Sequence, residues 1–235
     1  MTTLDKDNAV QPVALSIVMP ALNEGQTIEV SLGWLAPLRE RGVEVIVVDG
    51  GSQDDTACRA RPLADVVIEA ARGRARQMNA GAAAAQGTVL LFLHADTQLP
   101  PDADDLVLKA IQAGGVWGRF DVRIEGRHPM LRVVAGLMNW RSRLTGLATG
   151  DQAMFVRRDV FGRVGGFADQ PLMEDIELCQ RLRRLSRPVL LRQKVLTSGR
   201  RWEIRGVWRT IFLMWHLRWR YWRGESADRL AESYR

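Results

Sequence analysis

A histidine and an aspartate directly follow one of the most apolar stretches of the sequence. Val89–Leu93 reads Val-Leu-Leu-Phe-Leu, and His94, Ala95 and Asp96 come next. A buried parallel strand that ends in a carboxylate places that group at the carboxyl edge of a sheet, where open α/β folds bind their ligands. Asp96 is therefore the first candidate for a metal or phosphate site.

His94 stands two residues before Asp96, so in a continued strand both side chains point to the same face. Imidazole suits Mn²⁺ better than Mg²⁺, which makes His94 a candidate second ligand. We favour contact with a ribose or phosphate instead, because a site for a hard ion rarely recruits histidine. A histidine with a purely structural role at a strand end is the third interpretation.

A second group of polar residues follows the apolar stretch 43–48. This segment, Asp49-Gly-Gly-Ser-Gln-Asp-Asp55, lies between a predicted strand and a predicted helix. Glycines there permit close approach of a ligand, and a carboxylate can accept from a ribose hydroxyl or a base N–H. A solvated turn is the alternative, to which we give equal weight. No G-x-G-x-x-G follows the first strand, which disfavours a nicotinamide enzyme.

A pair of carboxylates, Glu174 and Asp175, opens a predicted helix over 174–185. The positive end of the helix dipole favours the ionised form that a general base needs. The simpler interpretation is that both residues only stabilise the start of the helix.

Alternating strand and helix patterns must position these groups. The first hundred residues contain predicted strands at 14–19, 43–48, 65–68 and 88–93, with helices between them near 23–35, 54–60 and 76–85. We therefore expect an α/β fold with a mostly parallel sheet and helices on both faces. Further on we expect a helix at 104–113, strands at 117–124 and 150–156, and an apolar segment dotted with arginine at 130–147. No linker separates the halves.

Charge is distributed unevenly over the 235 residues, whose net charge is +6. Residues 1–180 carry 18 basic against 23 acidic side chains, whereas residues 181–223 carry 13 against one. No apolar run is long enough for a membrane span, and Thr2–Asn8 is too polar for a signal peptide, so we expect a cytoplasmic protein. Cys58 and Cys179 lack metal-ligand spacing and are expected to be reduced structural thiols.

Six segments together resemble the family-2 glycosyltransferases of the GT-A fold. Ser16–Glu24 matches their strand-Pro-x-x-Asn-Glu, Val47–Thr56 their Val-Asp-Asp-Gly-Ser-x-Asp loop, and Phe92–Asp96 their Asp-x-Asp. The remaining matches are to Gly-Lys-x-x-Ala-x-Asn-x-Gly, Gly-Gly-Phe and Glu-Asp-x-Glu/Asp-Leu, at Gly73–Gly81, Gly165–Phe167 and Glu174–Leu178. The likeness covers roughly residues 14–202. The Leu-His-Ala-Asp and Met-Glu-Asp segments also resemble the small rSAM/selenodomain-associated transferases.

The resemblance implies inverting transfer of a sugar from a nucleoside diphosphate sugar, assisted by Mg²⁺ or Mn²⁺, to an acceptor that is a lipid carrier or a small molecule. It makes Asp175 the catalytic base and Asp96 the metal ligand. Expected donor-site residues are Pro20, Ala21, Asn23, Glu24, Asp49, Gly51, Asp54, Arg74, Asn79, His94, Ala95, Asp96, Arg200 and Arg201. The expected acceptor region comprises Gly150, Asp151, Glu174 and Trp202.

Two positions depart from the family pattern. His94 replaces the first aspartate of Asp-x-Asp, which leaves its role open. Arg200-Arg201-Trp202 resembles the Gln/Arg-x-x-Arg-Trp element of processive members, but Ser198 stands at its first position. We therefore do not expect processive polymer synthesis, although either arginine suits a diphosphate.

A tryptophan-rich stripe marks the C-terminal segment. Apolar residues recur at helical spacing at Trp208, Ile211, Phe212, Trp215, Trp219 and Trp222. Such an arginine- and tryptophan-containing helix favours a membrane interface, at the inner face of the membrane in a cytoplasmic protein. Packing of the stripe on the catalytic domain or on a twin subunit is at least as well supported, and nucleic-acid binding is disfavoured because no recognised module accompanies the charge. We expect a catalytic domain over 1–203, divided near residue 100 into a nucleotide-binding half and an acceptor half, and a helical extension over 204–235.

Two other functions compete with sugar transfer. One is a degenerate glycosyltransferase fold that acts as a membrane-docked binding module. The other is a haloacid-dehalogenase-like phosphatase, since His94-Ala-Asp-Thr97 superficially resembles Asp-x-Asp-x-Thr. That chemistry needs an aspartate nucleophile at the position of His94, so it is strongly disfavoured.

Overall fold

The computed structural model describes residues 13–234, with Arg201 described by its backbone only. The strands are β1 Leu15–Ala21, β2 Glu44–Asp49, β3 Val66–Glu69, β4 Val89–Phe92, β5 Thr97–Gln98, β6 Trp117–Glu125, β7 Met154–Arg157 and β8 Val189–Ser198. The helices of the first half are α1 Ile28–Gly33, α2 Ala36–Glu40, α3 Thr56–Ala60, α4 Arg74–Ala84 and α5 Ala103–Gln112. Those of the second half are α6 Met130–Thr145, α7 Arg158–Arg163, α8 Glu174–Arg183, α9 Arg200–Arg205, α10 Val207–Trp222 and α11 Ala227–Tyr234.

All eight strands form one mixed sheet in the order β3-β2-β1-β4-β7-β6-β8-β5. The first four are parallel to one another, as the alternating pattern predicts. The antiparallel strand β7 joins them to β6 and β8, which run parallel to each other. Helices cover both faces over two apolar cores, so the expected α/β class is confirmed. The second half completes the sheet of the first half.

Several element boundaries differ from the sequence pattern. Strand β1 continues through Pro20, because its pairing with β4 ends at Val18 and the missing N–H of proline faces the unpaired side. The predicted strand at 150–156 is a 3₁₀ turn at Gly150–Gln152 followed by β7. Strand β8 was not expected, because exposed Arg192, Gln193 and Lys194 interrupt its apolar pattern.

The C-terminal helices pack on the start of α8. Leu217 of α10 and Leu230 of α11 form a small buried cluster with Met173 and Ile176, which flank Glu174 and Asp175. The tryptophan stripe of α10 lies on the opposite face and is exposed, except for half-buried Ile211. Apart from Ile211, the stripe therefore does not pack on the catalytic domain, which was one of the alternatives to a membrane interface.

No helix within residues 13–234 is long and apolar enough to cross a membrane. Both cysteines are free thiols. Cys58 is exposed, and Cys179 is buried, which raises the pKa of its thiol to about 12.

Candidate functional site

The carboxyl ends of β1 and β2 meet at one edge of the sheet. Ala21 lies opposite Asp49 in the register of the two strands. The buried amide of Gln77, on α4, donates 2.8 Å hydrogen bonds to the carbonyl oxygens of both Ala21 and Val48. This side chain fixes the ends of the two strands, and with them the loops that carry the expected donor-site residues.

Two of those residues, Asp49 and Asp54, hold the loops in shape. The Asp49 carboxylate accepts from the N–H groups of Gly51 and Ser52, at 3.2 and 2.9 Å. This contact closes a turn in which Gly51 has φ +83°, a conformation that favours glycine. Asp54 accepts from the Thr56 N–H at 3.1 Å and, across to the other loop, from the Gly25 N–H at 3.0 Å.

Asn23 links the same two loops. Its side-chain oxygen accepts from the Gln53 N–H, and its own N–H donates to the Ser52 hydroxyl, both at 2.9 Å. The side chain of Asn23 is exposed and that of Glu24 half-buried, so both are accessible at this edge of the sheet. Pro20 is half-buried there and Ala21 is buried.

His94 and Asp96 do not continue strand β4, which ends at Phe92. Ala95 and Asp96 form a turn closed by a 3.1 Å hydrogen bond from the Thr97 N–H to the His94 carbonyl. The expectation of a shared strand face is therefore wrong, because alternation requires an extended backbone. Asp96 is exposed, whereas Ala95 is buried and its carbonyl oxygen accepts from the Ser31 hydroxyl.

The imidazole of His94 packs against the 3₁₀ turn at Gly150. A Cβ at position 150 would overlap the ring at Nε2, so only glycine fits there. Nε2 is buried without a hydrogen-bond partner in the described part of the chain, and Nδ1 lies 3.3 Å from Oδ1 of Asp151. In this conformation neither ring nitrogen is open to an ion at Asp96.

Asp175 lies at the start of α8 and contacts the same turn. Its Oδ2 accepts from the Gly150 N–H at 2.8 Å, and its Oδ1 accepts from the Ile176 N–H at 2.7 Å. The side chain is half-buried. Gly150 therefore lies between His94 and Asp175. The turn places Gly150, from the expected acceptor region, in direct contact with the expected base.

Glu174 and Arg74 form an ion pair beside Asp175. Their side-chain atoms are 3.2 Å apart, and the side chain of Glu174 is 3% exposed against 41% for Arg74. Burial raises the pKa of Glu174, and the charge of Asp175 raises it further, while Arg74 opposes both effects. Burial lowers the pKa of Arg74, but the charges of Glu174, Asp175 and Asp151 outweigh it and raise that pKa overall.

A cavity of about 10 Å³ lies among these side chains, enough for roughly one water molecule. Its lining includes Arg74, His94, Gly150, Glu174 and Asp175, together with the apolar residues Met78, Phe92, Met154 and Phe167. The structure thus brings together five of the residues expected from the sequence.

Other expected residues have different surroundings. Both ends of the Asn79 amide bond the backbone of Phe167, at 2.8 and 2.9 Å, so this side chain holds the Gly-Gly-Phe loop. Trp202 is half-buried and packs against the core. Arg200 is exposed at the start of α9, and the side chain of Arg201 lies outside the described part of the structure.

Backbone strain is concentrated around the site. Within residues 13–234, the non-glycine residues with positive φ are Asn23, Ala153 and Met173, at 54°, 44° and 64°. Asn23 lies in the loop after β1, Ala153 follows the 3₁₀ turn, and Met173 precedes Glu174. Such conformations cost about 1–3 kcal/mol each and tend to occur at functional sites.

The side chains at the sheet edge fit a divalent ion only in part. Within the described residues there is no group of three or more His, Cys, Asp or Glu side chains that could hold a metal. Mg²⁺ is often held by one or two carboxylates, with substrate phosphates and water as the other ligands. Exposed Asp96 fits such a site, which the diphosphate of a donor would complete.

Three residues near the site were missed by the sequence analysis: Gln77, Arg141 and Arg218. Gln77 lies between Arg76 and Met78 in the Gly73–Gly81 segment. Its presence in that motif was the signal that could have identified it. Arg141 belongs to the arginine-dotted segment 130–147, and Arg218 to the basic C-terminal helix. Nothing in their spacing distinguishes them from surface arginines.

Comparison with known proteins agrees with this arrangement. The family model described as Glycosyl transferase family 2 matches residues 16–165, which is more than half of the chain. The chain belongs to this family. It is similar to glucosyl-3-phosphoglycerate synthase of Mycobacterium tuberculosis, which is 35% identical over 94 residues covering 35% of this chain and 28% of that protein. Less than a third of that relative is therefore matched.

Solved structures show the same fold. S. aureus TarS, residues 1–349 in complex with UDP, gives a TM-score of 0.63 at 17% identity, covering 79% of this chain and 60% of that one. The mannosyltransferase PcManGT from Pyrobaculum calidifontis, in complex with GDP-Man and Mn²⁺, gives 0.58 at 22% identity, covering 83% and 59%. Glucosyl-3-phosphoglycerate synthase in complex with Mn²⁺, UDP and glucosyl-3-phosphoglycerate gives 0.57 at 21% identity, covering 78% and 70%. These likenesses support the GT-A fold.

Proposed function

We propose that the protein transfers a hexosyl group from a nucleoside diphosphate sugar to an acceptor hydroxyl, with inversion at the anomeric carbon. The observation that carries this proposal is the position of Asp175, which is held by the Gly150 N–H beside His94, Arg74 and Glu174. Family membership supports sugar transfer and leaves the phosphatase alternative without support.

Asp175 acts as the general base in this proposal. The acceptor oxygen attacks the anomeric carbon and gives its proton to the Asp175 carboxylate, while the bond from that carbon to the diphosphate oxygen breaks. The nucleoside diphosphate leaves with the bonding electrons. Backbone N–H groups on both carboxylate oxygens hold Asp175 in one orientation, which favours proton transfer along a fixed line.

Asp96 is the proposed ligand of Mg²⁺ or Mn²⁺. A bound ion would offset the charge that gathers on the leaving diphosphate. The donor diphosphate supplies the remaining oxygens, so we expect the ion and the donor to bind together. Mn²⁺ accompanies UDP in the solved complex of glucosyl-3-phosphoglycerate synthase and GDP-Man in that of the mannosyltransferase, which supports this proposal.

The exposed faces of α6 and α10 favour a second proposal, that this region docks on an anionic membrane surface. Large apolar side chains are exposed at the same spacing on both helices, at Val133, Leu137, Trp140 and Leu144 and at Trp208, Phe212, Trp215, Trp219 and Trp222. The two helices contact each other. Together they carry six arginines and no acidic residue. We call the apolar residues just named the exposed stripes.

An anionic lipid surface matches the chemistry of the exposed stripes better than a second copy of the chain. Tryptophan prefers the boundary between water and acyl chains, and arginine is attracted to anionic headgroups. A twin subunit would bring the exposed Arg132 and Arg209 against their own copies unless acidic groups elsewhere met them. Residues 204–235 would then form a docking extension of a catalytic domain over 1–203.

Release of nucleoside diphosphate tests the proposed function. The full chain is incubated with UDP and GDP sugars, with Mn²⁺ or Mg²⁺, and with water or a panel of hydroxyl acceptors. Metal-dependent release from one donor, with formation of a glycoside of inverted configuration, is expected. Donor binding without turnover on any acceptor would favour the non-catalytic binding module instead.

A further inference from the structure

Two arginines near Asp175 lack the partners that buried charges normally have. Nε and Nη2 of Arg141, on α6, are buried without a hydrogen bond to any described residue. Arg218, on α10, is half-buried and forms no hydrogen bond or ion pair within residues 13–234. Buried charges are usually paired, because burial without a partner is costly.

Arg119 shows how the same fold satisfies a buried guanidinium. Its side chain is completely buried, forms an ion pair with Asp121, and donates to the Ser142 hydroxyl at 3.0 Å. Arg143 pairs with the second oxygen of Asp121. Arg141 directly precedes Ser142 and Arg143 on α6, but it forms no ion pair with any carboxylate among residues 13–234.

Arg141 and Arg218 interact electrostatically with each other and with the proposed base. Burial lowers the pKa of Arg141 to about 10, Arg218 lowers it further, and Asp175 opposes both. Burial likewise lowers the pKa of Arg218, against the charges of Asp175 and Asp151. Arginine side chains are charged at neutral pH, so both guanidinium groups act on each other and on Asp175 as positive charges.

The packing of α10 keeps this pair beside the site. Leu217, the neighbour of Arg218, is completely buried against Met173 and Ile176 at the start of α8. Helix α6 contacts α10, and the Ala148 N–H donates to the Cys179 thiol of α8 beneath the turn at Gly150. The two arginines thus lie on helices that are separate from the donor-site loops.

We propose that Arg141 and Arg218 form a subsite for a phosphate group of the acceptor. This inference rests on the proposed function, because it places the acceptor hydroxyl near Asp175. Two guanidinium groups offer forked N–H donors that match phosphate oxygens, and their two charges match a phosphate monoester. A bound phosphate supplies the anion that this pair lacks, and it holds the acceptor within reach of the base.

Thermal unfolding of the full chain in phosphate-free buffer, with inorganic phosphate added stepwise, tests the subsite. Arg141→Gln and Arg218→Gln are compared with Arg132→Gln and Arg209→Gln, which remove exposed charges from the same two helices. Phosphate is expected to raise the unfolding temperature of the wild type and of the two controls, because a ligand of the folded state stabilises it. The shift should be lost in Arg141→Gln and Arg218→Gln.

Behaviour without phosphate separates binding from a structural role. Arg141→Gln should then unfold at the same temperature as the wild type or at a higher one, since it removes an unpaired buried charge. The proposal is overturned if Arg141→Gln and Arg218→Gln keep the full phosphate shift. It is also overturned if Arg141→Gln lowers the unfolding temperature without phosphate while the phosphate shift persists.

Stabilisation by UDP or GDP with Mn²⁺ distinguishes this proposal from the proposed function. Both arginine variants should keep that nucleotide shift. If the wild type itself shows no nucleotide shift, the result counts against the proposed donor site and not against the phosphate subsite. The source of the phosphate is resolved by replacing inorganic phosphate with glycerol phosphate or with phosphatidic acid in phosphatidylcholine vesicles. A response to glycerol phosphate that is lost in Arg141→Gln indicates a soluble acceptor. A response that occurs only with the vesicles, and that is also lost in Arg141→Gln, indicates a lipid. No response to either overturns the proposal.

Discussion

The backbone N–H of Gly150 donates a 2.8 Å hydrogen bond to Oδ2 of Asp175. The same glycine accommodates the imidazole of His94 on a face where any Cβ would overlap the ring. One residue without a side chain therefore couples the turn after β4 to the start of α8. In the proposed mechanism this coupling sets the distance between the donor side and the base.

Gly150→Ala should disturb that coupling. The new methyl group overlaps His94, and relief of such overpacking typically costs about 1–3 kcal/mol of stability. We expect a loss of this size in urea unfolding and a large loss of sugar transfer. Gly136→Ala is the control, because a Cβ there meets nothing within 4 Å and should leave stability equal or slightly higher. Adding His94→Ala should restore stability to Gly150→Ala, and failure to do so would contradict the assigned overlap.

Glu174→Gln should change how stability depends on pH. Burial raises the folded-state pKa of Glu174 above its unfolded value of about 4.3, so folding favours the protonated form. The stability that this group contributes is complete below that unfolded value and declines as pH rises through the folded-state pKa. Glutamine cannot ionise, so the variant should gain stability relative to the wild type as the pH rises above the unfolded-state pKa of glutamate.

Denaturant midpoints at a series of pH values measure this difference, with Glu40→Gln as a control for loss of an exposed carboxylate. If Glu174→Gln instead becomes less stable than the wild type as the pH rises, the ion pair with Arg74 stabilises ionised Glu174 by more than burial destabilises it.

Asp96→Ala should uncouple metal binding from donor binding. Nucleotide should stabilise the wild type much more with Mn²⁺ than without it, because each completes the site of the other. The variant should show the same small nucleotide shift in both conditions. The assignment of Asp96 as the metal ligand is contradicted if nucleotide stabilises the wild type equally with and without metal. It is also contradicted if the effect of metal persists in Asp96→Ala.

The exposed stripes should bind anionic vesicles. Co-sedimentation with phosphatidylglycerol-containing vesicles is expected, weakening at high salt because the attraction is partly electrostatic. Trp140→Ser and Trp215→Ser should each weaken it, whereas Trp34→Ser, an exposed tryptophan after α1, should not. Absence of vesicle binding, together with a dimer that Trp215→Ser dissociates, would assign the stripes to a protein interface.

Much of the donor half follows from sequence because its signals are local. The apolar run 43–48 is followed directly by Asp49. Parallel pairing of β2 with β1 places Asp49 at the carboxyl edge of the sheet, opposite Ala21. The order of the six matched segments then predicts the family and the fold, and both are confirmed.

What sequence could not supply depends on contacts between distant elements. The turn at Ala95 and Asp96 separates His94 from Asp96, although a continued strand fits the local pattern equally well. The face of α10 that is buried is the one that carries Leu217, which contacts the start of α8. The tryptophan stripe is the more prominent apolar pattern in the sequence, so the sequence alone did not indicate this face. Likewise, Asn79 could not be assigned to the Phe167 backbone, 88 residues away, from its motif alone.

Asp175→Asn tests the central assignment most directly. Asparagine keeps the size of the side chain and can still accept from the Gly150 N–H, but it cannot take the acceptor proton. We expect nucleoside diphosphate release in the presence of acceptor to fall by roughly 100-fold or more, with nucleotide stabilisation retained. Asp159→Asn, at the exposed start of α7, should transfer sugar at the wild-type rate. Wild-type transfer by a folded Asp175→Asn variant would contradict the assignment of Asp175 as the base.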